Sequence, residues 1–101
     1  MGFHPLDVPK DRLAEFCRRR RIRKLSIFGS AVHDDFRPDS DVDILVQFEP
    51  GHVLGLAIMD LEAELSWILG GRKVDLVNEK HLNARLRDRI LAEARVQYAE
   101  G

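Results

Sequence analysis

Apolar positions along this 101-residue chain fall into two rhythms, a helical one and an alternating one. Leu13, Phe16 and Cys17 recur at the three- and four-residue spacing of a helix face. Asp7-Val8-Pro9 reads as the entrance to that helix, with Asp7 a candidate cap and Pro9 in the first turn. Arg18 to Arg21 close it, where positive charge suits the helix dipole. Leu25, Ile27 and their neighbours read as a first strand, stopped at Gly29, and a short helical turn is expected from Gly29 to about Phe36. Arg37-Pro38-Asp39-Ser40 has turn chemistry. Val42 to Phe48 is a second strand, ended by Pro50-Gly51. Leu54, Ile58, Leu61, Leu65, Ile68 and Leu69 define an amphipathic helix that Gly70-Gly71 terminates. Lys73 to Val77 reads as a third short strand. From about His81 to Tyr98, Leu82, Leu86, Ile90, Leu91 and Ala94 place one apolar face on a last helix.

The order helix, strand, strand, helix, strand, helix predicts an α/β fold: a small mixed β-sheet with helices packed mainly on one face. The length suits a single domain over 1–101. Hydrophobic residues make up 45%, enough for a core, and the net charge of -1 is not that of a polycation seeking nucleic acid. Cys17, the only cysteine, excludes an internal disulfide and a cysteine-based zinc cluster, and reads as core. No apolar run reaches membrane-spanning length, and the N-terminus lacks a signal-peptide layout. These features predict a cytoplasmic protein. A domain this small is marginally self-sufficient, so cover by a partner is expected.

Acidic residues interrupt the strand pattern. Asp41 and Asp43 head the second strand one place apart, so they point the same way, opposite to Val42, Ile44, Val46 and Phe48. Leu45 shares their face, which implies partial cover. Asp75 breaks the third strand in the same manner, and joins them if that strand pairs beside the second. Each residue alone has an ordinary explanation, as a turn, strand-entry or solvated sheet position. Together, three carboxylates on a partly dry face repel one another, and either protonation or a divalent cation relieves this. Hard carboxylate oxygens suit Mg²⁺. Gly29-Ser30 ends the first strand with a small residue at a strand-to-helix turn, where backbone N–H groups can approach a phosphate. A phosphate cradle facing a carboxylate metal site points to metal-assisted chemistry on a nucleoside triphosphate.

Ile27-Phe28-Gly29-Ser30, then ten residues, then Asp41-Val42-Asp43 resembles the signature of the polymerase-beta-like nucleotidyltransferases. Pro38 to Val46 and Leu69 to Val77 are similar to the minimal nucleotidyltransferase (MNT) branch, and the likeness runs from about Leu13 to Tyr98. The resemblance implies that Gly29 and Ser30 bind the β- and γ-phosphates of ATP. It implies that Asp41 and Asp43 hold two Mg²⁺ ions, and that Asp75 completes the site for the metal activating the incoming hydroxyl. That hydroxyl would attack the α-phosphate in line and release pyrophosphate. Where many MNT proteins carry Arg or Tyr after Gly-Ser, and then a basic residue and Gly, this chain has Ala31, His33 and Asp34. His33 is a candidate substitute contact to phosphate. Asp34-Asp35 add negative charge near the expected triphosphate, which predicts weakened binding.

MNT proteins of this size resemble antitoxins of HEPN–MNT toxin–antitoxin pairs. The resemblance implies transfer of AMP from ATP to a tyrosine of a cognate HEPN ribonuclease toxin, and an assembly with that toxin or with further copies. The alternatives are an antitoxin that neutralises by covering the toxin, its nucleotide site silent, and nucleotidyl transfer to a small molecule. No acceptor-holding second domain is expected, which argues against the last. The basic run Arg18 to Lys24 reads first as a solvated helix end and strand edge, and second as a contact for RNA phosphates or an acidic partner. No aromatics interleave with it, so direct nucleic-acid binding is not expected. Trp67 packs on the amphipathic helix or faces a partner, and His4, His52 and His81 lack metal-ligand spacing.

Overall fold

The computed structural model describes residues 8–32, 41–50 and 58–100. The Asp7 cap, the 37–40 turn, Leu54, and His33 to Asp35 lie outside them. Helix α1 (Lys10–Arg19) buries Leu13, Phe16 and Cys17. The Pro9 carbonyl accepts the Leu13 N–H at 3.0 Å, and among the described residues no side chain caps the start. Arg20 and Arg21 turn the chain into strand β1 (Ile22–Phe28). Arg21 takes the left-handed conformation at φ 59°, the place where glycine is usual at a helix end. The 3-10 turn Gly29–Val32 follows β1, and strand β2 (Val42–Phe48) has the predicted bounds. Helix α2 (Ile58–Ile68) turns its predicted face inward through Leu61, Leu65 and Ile68. Gly70 and Gly71, both at positive φ, end it. Strand β3 (Val74–Asn78) precedes a second 3-10 turn, Glu79–His81.

The last segment differs from the periodicity reading. Helix α3 spans only Ala84–Glu93, and the chain then forms a fourth strand, β4 (Arg95–Ala99). Asn83 caps α3 through its side chain, which accepts the Leu86 N–H at 2.8 Å. The helix ends because the Ala94 backbone turns extended and β4 pairs antiparallel with the free edge of β1. Sheet pairing thus overrides a helical spacing that runs on through Ala94 and Tyr98. α3 itself buries no residue.

The sheet order is β3-β2-β1-β4. β1 runs antiparallel to β2 and β4, and β2 runs parallel to β3. The mixed sheet is the predicted fold class. One cluster of buried side chains joins Leu13, Phe16 and Cys17 of α1 and Leu61 and Leu65 of α2 to Leu25, Ile27, Ile44, Val46, Val74 and Leu76 of the strands. Burial pushes the Cys17 thiol up to about 12, so it stays protonated in the core. Leu45 and Ser26, level with each other on β2 and β1, are also buried, but Leu45 stands outside that cluster. Among the described residues no helix is long and apolar enough to cross a membrane.

Three of the six basic residues of the run pair with acids within the chain. Arg19 and Arg20 both pair with Glu64 of α2, Arg20 at 2.9 Å, and Arg21 lies 3.8 Å from Glu49. Trp67 faces outward from α2, 73% exposed, with the Arg12 guanidinium 5.1 Å above its ring.

Candidate active site

The site is built by the alternation of β2. Val42, Ile44 and Val46 are buried under the helices, so the residues between them point to the opposite face. Asp41 is exposed just ahead of the strand, and Asp43 is half-buried within it. On β3, Val74 and Leu76 are buried and Asp75 is exposed, so Asp75 shares the face of Asp43. Their Cα atoms are level across the parallel pair. The hydrogen bond from Val42 N–H to Lys73 C=O, 2.8 Å, fixes that register at the head of both strands.

The Gly-Ser turn closes on the same point. Gly29 leaves β1 at φ 70°, a conformation that favours glycine. A Cβ added there would lie 3.2 Å from the Asp43 Cγ and would overlap its Oδ2. Gly29 is therefore required twice, by the backbone angle and by the nearness of the carboxylate. Ser30 is the next residue of the turn. Phe28, level with Asp43 on β1, flanks it opposite Asp75. Phe28 entered the sequence reading only as part of the motif, and strand pairing gives it this place.

Electrostatics single out Asp43. Burial first, then the negative charges of Asp75 and Asp41, raise its carboxyl above the ordinary value of 3.8. None of the three carboxylates forms an ion pair with a described cation. Among the described residues no three acid, imidazole or thiol side chains close into a preformed metal cage. The donor set still fits a divalent cation: oxygen ligands only, mutually repelling, with no paired counter-charge among the described residues. The structure thus brings together Gly29, Asp43 and Asp75, with Asp41 at the strand head. Glu62 of α2, absent from the sequence reading, reaches the same strand by accepting the Leu76 N–H at 2.8 Å. Its position beside Leu61 in a helix gives no signal of that role.

A mixed sheet that lays a Gly-Ser turn against carboxylates on adjacent strands is chemically suited to a phosphate and a divalent cation. The profile of the "Polymerase beta, Nucleotidyltransferase" family matches residues 11–100, and the chain belongs to that family. It is 40% identical over 79 residues to the protein adenylyltransferase MntA of Thermococcus cleftensis, covering 78% of each chain. It shares its fold with a toxin–antitoxin structure containing AMP-PNP, at TM-score 0.75 and 19% identity, covering 92% of this chain and 75% of that one. A second structure of the same fold is a tri-AMPylated Shewanella oneidensis HEPN toxin in complex with an MNT antitoxin, at TM-score 0.65 and 18% identity, covering 90% and 70%.

Proposed function

We propose that this chain is the antitoxin of a HEPN–MNT pair and a Mg²⁺-dependent protein adenylyltransferase. It moves AMP from ATP to a tyrosine of its cognate HEPN ribonuclease toxin, in the cytoplasm. One observation carries the reading: the Gly29 turn abuts the Asp43 carboxylate, with Asp75 level beside it on the next strand. The similarity to a protein adenylyltransferase over most of both chains supports the choice of reaction. The fold shared with toxin–antitoxin complexes, one of them holding an AMPylated toxin, supports the choice of partner.

Asp41, Asp43 and Asp75 would hold Mg²⁺, two ions in all. When bound, the metal supplies charge neutralisation and Lewis acidity at the phosphates. Backbone N–H groups of the Gly29–Ser30 turn would bind the β- and γ-phosphates, with no side chain intervening at Gly29. The tyrosine oxygen forms a bond to the α-phosphorus as the bond to the pyrophosphate oxygen breaks. The tyrosine proton is lost, and pyrophosphate leaves. The chain contributes mainly position: carboxylates on paired strands cannot drift apart without breaking the β2–β3 ladder.

The test is to co-express the chain with its HEPN partner and measure the partner's intact mass, with and without ATP and Mg²⁺. Addition of AMP units is the expected result. No adduct under conditions where ATP binds would sink the transferase reading. A second reading, neutralisation by covering the toxin alone, is favoured by one feature, the Asp34-Asp35 pair close after Gly29-Ser30 in sequence. Full protection of cells by a triple Asp41, Asp43 and Asp75 to Asn variant would select it.

A further inference from the structure

Among the described residues β3 lies at the edge of the sheet and pairs only with β2. Val42 is level with Val74, and its N–H donates to Lys73 C=O. In a parallel ladder this register turns the amides of Asp75 and Val77 toward β2 and that of Leu76 away. Leu76 is nonetheless a buried residue, and its outward amide finds no partner in the ladder. The Glu62 carboxylate reaches from α2 and accepts that N–H at 2.8 Å. Glu62 is half-buried and forms no ion pair with a described residue. Its described partner is one backbone amide, directly after Asp75. A half-buried carboxylate aimed at that one amide is a specific fastening.

We infer that Glu62 is a positioning residue for the site. It fastens the outer edge of β3 at the residue following Asp75 and so holds Asp75 level with Asp43. It also occupies an edge amide that another strand could otherwise pair with. The inference rests on the reading of Asp75 as a site carboxylate.

The test uses the full chain and its toxin, with the variants Glu62→Ala, Glu62→Gln and Asp75→Asn. Two quantities are read: hydrogen exchange at the Leu76 amide and the kinetics of AMP transfer, with melting curves to count folded protein. In Glu62→Ala the Leu76 amide exchanges faster while the Val42 amide keeps its protection. Transfer kcat falls roughly tenfold while KM for ATP stays within about twofold, because small misplacements of a reacting group cost rate more than binding. Glu62→Gln keeps an acceptor oxygen and restores both quantities most of the way. Unchanged Leu76 exchange in Glu62→Ala would overturn the fastening. Equal loss in Glu62→Gln and Glu62→Ala, or unchanged activity per folded molecule in Glu62→Ala, would overturn the positioning role. Full activity in Asp75→Asn would instead overturn the site reading, a result that the exchange data cannot produce.

Discussion

The two faces of the sheet obey different rules, and β2 shows both within seven residues. Toward α1 and α2 its side chains are Val42, Ile44 and Val46, none more than 1% exposed. Toward the other face it presents the buried Leu45 and, beside it, Asp43, half-buried and repelled by Asp75 and Asp41. The first face gains free energy by excluding water. The second gives up free energy to keep charge at one place. The difference teaches that stability and chemistry are separable here: changes on one face should move one quantity and spare the other.

Phe16→Ala tests the first face and should have the largest effect. Phe16 is fully buried in the cluster, so truncation removes its transfer energy and leaves a cavity. A loss of about 3–5 kcal/mol is expected, read by urea denaturation. That is a large share of the about 5–15 kcal/mol by which a native domain is stable. The folded fraction should still transfer AMP at the wild-type rate. Asp43→Asn tests the other face. Transfer should fall by more than about a hundredfold, since even outer-shell partners of metal ligands typically cost 10–100-fold. The melting temperature should hold or rise without added metal, because the repulsion from Asp75 and Asp41 is gone. A large drop in melting temperature would break the separation of faces.

Gly29→Ala should move both quantities, because Gly29 is where the faces meet. Its left-handed backbone costs an alanine about 1–2 kcal/mol. The new Cβ also displaces the Asp43 carboxylate, so transfer falls as well. An active, fully stable Gly29→Ala protein would show that the turn does not sit against Asp43 during turnover.

Much of this division was legible in the sequence. Alternation over Val42 to Phe48 gave the strand, its buried side and the side of the carboxylates. Leu61, Leu65 and Ile68 gave the buried face of α2. Two things were not legible, and both depend on pairing across the fold. β4 occupies a stretch whose Ala94 and Tyr98 extend a helical spacing, and only the open edge of β1 decides for a strand. The Glu62 bond to Leu76 joins residues 14 apart, and nothing local distinguishes Glu62 from the other acids of α2. Pairing also explains what the carboxylate spacing left open: Asp75 joins Asp43 because β3 lies parallel to β2 in matching register.

The smallest effect expected is at Glu64, which ties the end of α1 to α2 on the helix side. Its carboxyl is held below the ordinary value of 4.5, first by the hydrogen bond from Arg19, with burial opposing and Arg20 adding to the effect. A carboxyl depressed in the folded state lends stability that is present above its unfolded value and lost as pH falls through its folded value. Wild type should therefore melt higher than Glu64→Gln at neutral pH, and the gap should close below about pH 4.5. Glu64 is 26% exposed and Arg19 52%, so water and ions screen the pair and the gap should also shrink with added salt. The gap should be a small fraction of the Phe16→Ala effect. AMP transfer should be indifferent to the substitution, because the described partners of Glu64 are Arg19 and Arg20 at the end of α1. A transfer defect in Glu64→Gln at full stability would mean that the helix side communicates with the carboxylates after all.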